Sequence, residues 1–385
     1  MRKGRKKIML NIAVLGIGNA GGQVANVAWA KGFSTFCINS SEKDLDIINE
    51  EIPVFLLGNS EGAGKDRRVA KGFVKAYYKD LLATEAFDEF MDKTDVVFIV
   101  SSTGGGTGSG MSIIIADILS TIYTNKIFIN VGILPTLNDS IGAQRNTLEY
   151  MKEVNHLGKG YMLYDNNKYK HLTPSTYMNM VNKEIVDGLC YLRGDYSFKT
   201  KYGMIDDADM FKLLTVPGMI NVSFYEGFLE KDMDDHVMLD TYISKVMKNN
   251  GTCQLDKDRI IKRMGIIVNL SEDLSRYYSS SMDDFKANVG EPLEVFEHYF
   301  LKDDDSIPNR LGVILSGLSI PDDRIQIIIQ RIKEVEDALN KKKGSSLLES
   351  IDYMENLHVT SLGIDRARSD EKKNVSEIEF NFDNY

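Results

Sequence analysis

Apolar positions in this chain come in two rhythms. Short runs rich in Val, Ile and Phe recur at 10–16, 34–38, 53–57, 95–101, 126–133 and 160–164. Each is bounded by turn residues and is too short for a helix, so each predicts a buried strand. The stretches between them are helical in spacing. Strands alternating with helices predict an α/β fold with a doubly wound parallel sheet. Beyond it, Thr173-Pro174 predicts a helix start, since Thr caps and Pro suits the first turn. Tyr177, Val181, Ile185 and Leu189 then recur every four residues as one apolar stripe.

Further along, 193–207 is polar and aromatic and reads as an insertion. Asp207 to Thr215 predicts a short helix stopped by Pro217-Gly218. Strands are expected at Ile266–Asn269 and Leu311–Leu315, and a strongly periodic helix at Ile325–Lys341. The polar, charged tail ends in alternating apolar and polar residues, a pattern able to add to a sheet edge.

Two glycine-rich loops carry the chemistry. Gly104 to Gly110 spell Gly-Gly-Gly-Thr-Gly-Ser-Gly between an apolar strand and an apolar helix. Missing Cβ atoms at that junction let backbone N–H groups approach an anion, at the positive end of a helix. The other loop, Gly16-Ile17-Gly18-Asn19-Ala20-Gly21-Gly22-Gln23, follows the first strand. It contains the GxGxxG of dinucleotide-binding proteins. A nicotinamide dehydrogenase wants an acid at the end of the second strand to hold a ribose hydroxyl. Asn39 stands there instead, and the first acid is Glu42. A third stretch, Gly58 to Asp66, has the look of a Walker loop with the wrong spacing: Asn59 replaces its first glycine and Asp66 its Ser or Thr.

Taken together these loops resemble the tubulin/FtsZ superfamily, whose signature is the 104–110 sequence. The first phosphate loop would be 16–23, the γ-phosphate loop Gly62-Ala63-Gly64, and the ribose loop Asn138 to Arg145. Asn39 and Asn166 fall at strand ends near the expected nucleotide. Tyr177 and Asn182 stand where the family stacks and hydrogen-bonds guanine, and Pro217 to Phe224 resembles the loop after its central helix. Departures from FtsZ at Ser223, where the first of two acids is missing while the second is kept as Glu226, and at Ile141, a longer stretch between Asn182 and Asn221, and no long linker or terminal peptide make the chain more similar to the TubZ branch, borne by plasmids and phages.

The resemblance implies GTP-binding residues 1–172, a central helix and connector at 173–218, a smaller α/β activation domain at 219–360 and a tail at 361–385. It implies an assembly-activated, filament-forming GTPase with GTP/GDP and Mg2+ as cofactors. The nucleotide would be held by Gly18, Asn19, Ala20, Gly21, Gly22, Gln23, Asn39, Gly64, Lys65, Gly104, Gly105, Gly106, Thr107, Gly108, Asn138, Arg145, Asn166, Tyr177 and Asn182. Lys65 reads equally as a partner of the γ-phosphate and as a solvated loop lysine. No cluster in the sequence identifies a magnesium ligand. In the family a neighbouring subunit supplies the acid that orients the attacking water; Glu226 matches it best, with Asn221 beside it. An FtsZ-like division role is the alternative, ahead of a dehydrogenase.

Charge narrows the partners. A net charge of −10 opposes non-specific binding to DNA phosphates. The resemblance to the TubZ branch implies a filament that segregates or positions plasmid or phage DNA through an adaptor contacted by the tail, which fits this charge, and it makes the protein itself the chief partner in a head-to-tail polymer. Three widely spaced cysteines, Cys37, Cys190 and Cys253, form neither a disulfide framework nor a zinc cluster and fit a reducing cytoplasm. No apolar stretch approaches about 18 residues, so no membrane span is expected. The basic start, Arg2 to Lys7, leads into the first strand and reads as a solvated terminus. The five histidines show no metal spacing, and Trp29 reads as core.

Overall fold

Every apolar run of the first 165 residues becomes a strand in the computed structural model. These are β1 (Ile12–Ile17), β2 (Ser34–Asn39), β3 (Val54–Leu56), β4 (Val96–Ser102), β5 (Ile127–Leu134) and β6 (Gly160–Asp165). They pair in parallel. The structure describes residues 10–58, 61–193, 199–202, 205–226, 252–256, 260–271, 290, 292–301, 309–344 and 382. The basic start and nearly all of the tail lie outside them.

Helices connect these strands: α1 (Gly18–Ala30), α2 (Glu42–Leu45), α3 (Arg67–Leu82), α4 (Glu85–Asp92), α5 (Thr107–Ile122) and α6 (Ile141–His156). All eight residues of β5 are buried, as are the first six of β4. Both strands are covered on two faces, which is why they read as continuous apolar runs rather than as alternations. Each buried Val, Ile or Phe contributes roughly 1.5–3 kcal/mol.

After a short 3₁₀ turn (Asn166–Tyr169) comes α7 (Pro174–Arg193), starting at the expected proline. The stripe Tyr177, Val181, Ile185 and Leu189 is buried throughout. Then follow β7 (Lys199–Tyr202), α8 (Asp207–Thr215), β8 (Gly218–Glu226), β9 (Arg263–Leu270), β10 (Glu294–Leu301), β11 (Arg310–Leu318) and α9 (Asp322–Gly344). The sheet order is β3-β2-β1-β4-β5-β6-β8-β11-β9-β10-β7. Strand β8 joins the two halves: it pairs in parallel with β6 and antiparallel with β11.

Three features depart from the sequence reading. Part of the supposed insertion forms β7, antiparallel to β10. Strand β10 was not anticipated, because Glu294, Glu297 and His298 break its apolar run. Most of Pro217 to Phe224, expected as a loop, lies in β8; Met219, Ile220 and Val222 are buried there, and pairing with β11 along the strand, with β6 at its start, holds the backbone extended. Among the described residues no helix is long and apolar enough to cross a membrane.

Candidate functional site

The carboxyl ends of parallel strands are where ligands bind in such sheets, and here they open into a cleft of about 550 Å³. Two helices start at it. Helix α1 follows Ile17 and α5 follows Gly106, and neither has a side-chain cap. By contrast α3 and α6 are capped by Asp66 and Ser140. The first N–H groups of α1 and α5 thus lack the capping bond that a side chain would give, and the positive ends of both helices face the cleft.

Glycines shape the floor because nothing larger fits. Gly18 has φ +73°, and a Cβ there would stand 3.0 Å from the Gly108 nitrogen. A Cβ on Gly106 would lie 2.7 Å from the Lys65 Cα. The lining carries the carboxylates of Asp44 and Glu61 and the single cation Lys65. Attraction for an anion therefore rests on backbone dipoles and helix ends more than on side-chain charge.

Twelve of the nineteen residues expected to hold the nucleotide line this cleft: Gly18, Asn19, Ala20, Gln23, Gly64, Lys65, Gly105, Gly106, Thr107, Gly108, Asn166 and Asn182. Gln23 Nε2 donates to Asn19 Oδ1 at 2.7 Å, and the Thr107 and Ser40 hydroxyls are 2.7 Å apart. Asn166 Oδ1 is buried without a protein partner, as a ligand-facing acceptor would be.

Other residues expected at the nucleotide lie outside the lining. Gly21 and Gly22 are interior spacers: a Cβ on Gly21 would meet the Val100 carbonyl at 2.2 Å, and one on Gly22 would meet Ile48. Gly104 packs against Ala143. Asn39 is 2% exposed and shapes the turn behind the cleft; its Oδ1 accepts from the Ser40 and Ser41 nitrogens at 2.8 and 3.3 Å. Asn138 is an exposed turn residue away from the cleft. Arg145 is ion-paired to Glu336 of α9.

Tyr177 is likewise displaced. It is buried outside the lining, while Met178 borders the cleft with Asn182. Residues four apart share a helix face, whereas residues five apart are turned about 140° from each other. The spacing of Met178 and Asn182 was the signal in the sequence; the attraction of an aromatic at 177 obscured it.

The residues proposed to act in trans are also placed differently. Asn221 is 2% exposed; its Nδ2 donates to Thr252 Oγ1 at 2.7 Å, and its Oδ1 accepts from Ser223 Oγ at 2.6 Å. Both amide atoms are thus engaged inside the protein. Gly218 starts β8 beside Gly160 at the start of β6, at the sheet edge opposite the glycine loops. Glu226 is the last residue of that strand, opposite Arg310 of β11. Eight further residues at about 3.3 Å each carry its backbone roughly 26 Å along the strand from that edge.

Comparison with known proteins agrees with this geometry. Residues 11–174 match the tubulin/FtsZ family, GTPase domain. The tubulin-like protein TubZ of Clostridium botulinum C phage is 25% identical over 386 residues, covering 96% of this chain and 93% of that protein. The crystal structure of the Clostridium botulinum phage c-st TubZ superposes with a TM-score of 0.67 at 22% identity, covering 86% of this chain and all of that one (100%). CetZ2 from Haloferax volcanii, in a GTPγS-bound protofilament, gives a TM-score of 0.71 at 19% identity over 86% of this chain and 100% of that one. Residues 11–174 therefore match the GTPase domain of the tubulin/FtsZ family, and the fold of the chain is similar to that of TubZ and CetZ proteins.

Proposed function

We propose that this protein is a filament-forming GTPase whose hydrolysis is switched on by head-to-tail assembly. The observation that carries this reading is the convergence of two uncapped helix N-termini on one glycine-floored cleft. Such a cleft suits the phosphates of a nucleotide, and phosphoryl transfer needs positioning and charge neutralisation more than covalent chemistry. Backbone donors at 105–108 and at the start of α1 would hold the phosphates. Thr107 would add a hydroxyl and Lys65 a charge. Asn166 and Asn182 would bind the base, and Met178 would lie against it.

Magnesium would accompany the triphosphate and keep several of its waters. Asp44 and Glu61 are the carboxylates in the lining that could receive those waters. The ion would supply neutralisation of charge at the departing phosphate.

Self-association is supported by the CetZ2 relative, whose structure is a GTPγS-bound protofilament. A head-to-tail contact of one face on a different face of the next copy gives an open filament. The face opposite the cleft begins at Pro217-Gly218, where Thr215, Lys262, Arg263 and Glu294 border a second depression. The cellular role we propose is positioning of plasmid or phage DNA in the cytoplasm. The phage origin of the TubZ relative and the acidic charge of this chain support it. An adaptor bound by the tail would make the DNA contact.

The test is GTP turnover against protein concentration, with light scattering in parallel. Turnover that rises only above a critical concentration, together with scattering, supports assembly-coupled hydrolysis. Concentration-independent turnover, or none, rejects it. Glu226→Ala is the informative variant. Given the course of β8, turnover is expected to persist; its loss with GTP binding intact would return the catalytic acid to Glu226.

A further inference from the structure

Behind the cleft, and outside its lining, lies Asn146 on α6. Its Nδ2, which has two hydrogens to donate, lies within hydrogen-bond distance of three backbone carbonyls, with one N–H shared between two of them: Lys65 at 3.0 Å, and Gly104 and Gly105 at 3.2 Å each. These carbonyls belong to the two loops that enclose the anion end of the cleft. Across a trans peptide the C=O and the following N–H point in opposite directions, and the described residues contain no cis peptide. Drawing the Gly104 and Gly105 carbonyls toward Asn146 therefore turns the N–H groups of Gly105 and Gly106 away from it. Gly105 and Gly106 are themselves lining residues.

Lys65 is held by the same amide. Its φ is +63°, a left-handed conformation found at no other described non-glycine residue. A side chain rarely adopts that conformation without support from its surroundings. The Lys65 backbone also lies directly over Gly106, so closely that a Cβ there would collide with it. Asn146 ties these two segments together at their point of contact.

We infer that Asn146 is a positioning residue that tunes the cleft to the terminal phosphate of a nucleoside triphosphate. It would do so by fixing the Gly105 and Gly106 donors and the Lys65 backbone with one amide group. This rests on the nucleotide reading of the cleft. A triphosphate adds charge that a diphosphate lacks, and Lys65 is the cation in the lining. Loss of the tie should therefore weaken the triphosphate more than the diphosphate.

The experiment titrates GTPγS and GDP into the full chain and into two variants. Asn146→Leu keeps the branching and the number of heavy atoms and removes the donor, and Asn146→Ala removes both. Neither introduces charge near the phosphates. In both variants GTPγS affinity should fall about tenfold, the scale of one lost hydrogen bond to a strained loop. GDP affinity should change by less than about threefold on the same scale. Thermal unfolding without nucleotide should stay close to that of the parent. Equal loss for both nucleotides overturns the proposal, because the role would then be structural. No change in either variant overturns it too, and loss in the alanine variant alone assigns the effect to packing. If the parent protein binds neither nucleotide, the reading of the cleft itself fails, a result separate from any effect of Asn146.

Discussion

Arg324 and Asp165 lie 159 residues apart in sequence and form a buried ion pair, with Nε 2.8 Å from Oδ2. Their side chains are 6% and 7% exposed. Arg324 also donates to the Pro135 carbonyl at 2.9 Å. Asp165 ends β6 immediately before Asn166, and Pro135 follows β5. Helix α9 is thereby fastened to the two strand ends that border the cleft. Arg331 adds a donor to the Leu137 carbonyl at 3.3 Å, and Glu336 takes Arg145.

Removing one member of this pair should be costly. Arg324→Ala would leave the Asp165 carboxylate buried without its cation, which costs about 3–5 kcal/mol. Denaturant unfolding should show that loss. Nucleotide affinity should fall as well, since the turn carrying Asn166 loses its brace. A stability change under about 1 kcal/mol would mean that water replaces the guanidinium.

Glycine positions should separate into critical and silent ones. Gly106→Ala would force the 62–66 loop away from the glycine loop, so nucleotide affinity should drop at least about tenfold. Gly142→Ala is the control: its nearest neighbour would be the Ser140 hydroxyl at 3.9 Å. Near the start of α6 an alanine should be neutral or stabilising by a few tenths of a kcal/mol. Calorimetric titration of both variants checks the contrast.

The base end of the cleft gives a third prediction. Met178→Ala and Asn182→Ala should each weaken guanine nucleotide binding by about 1–2 kcal/mol, through lost contact and a lost hydrogen bond. Tyr177→Phe should leave binding unchanged, because Tyr177 is buried away from the lining. Binding measured by fluorescence of a labelled nucleotide distinguishes the three. A large loss in Tyr177→Phe alone would restore the tyrosine to the site.

Alkaline pH should destabilise the fold in a defined window. Burial pushes the Cys37 and Cys253 thiols from 9.0 up to about 12. In the unfolded chain they ionise near 9, whereas in the folded chain they stay protonated. The unfolded state then binds fewer protons, so stability falls as pH rises above about 9, with the loss continuing toward pH 12. The buried hydroxyls of Tyr150, Tyr161 and Tyr164 are also raised by desolvation and extend the loss above pH 10. Unfolding free energies measured from pH 7.5 upward should decline, and Cys37→Ala with Cys253→Ala should flatten the first part of that decline.

The sequence by itself determined the parallel sheet and the glycine-loop end of the cleft. Those features are local: each strand is one apolar run, and each of the two loops is a glycine cluster joined to the strand before it and the helix after it. Gly105, Gly106, Thr107 and Gly108 thus reach the cleft simply by following β4. Tertiary structure alone decided what depends on contacts between distant segments. Residues 218–226 became a strand because β11 supplies a partner along nearly all of it and β6 pairs with its first two residues. Arg145, a plausible nucleotide ligand in the linear chain, turns instead to Glu336, which α9 brings beside it. Asn146 acquires its importance only where the backbones of 65 and 104–105 converge. A local motif fixes its own backbone geometry, but a hydrogen bond between segments 40 or more residues apart exists only once folding has placed both ends.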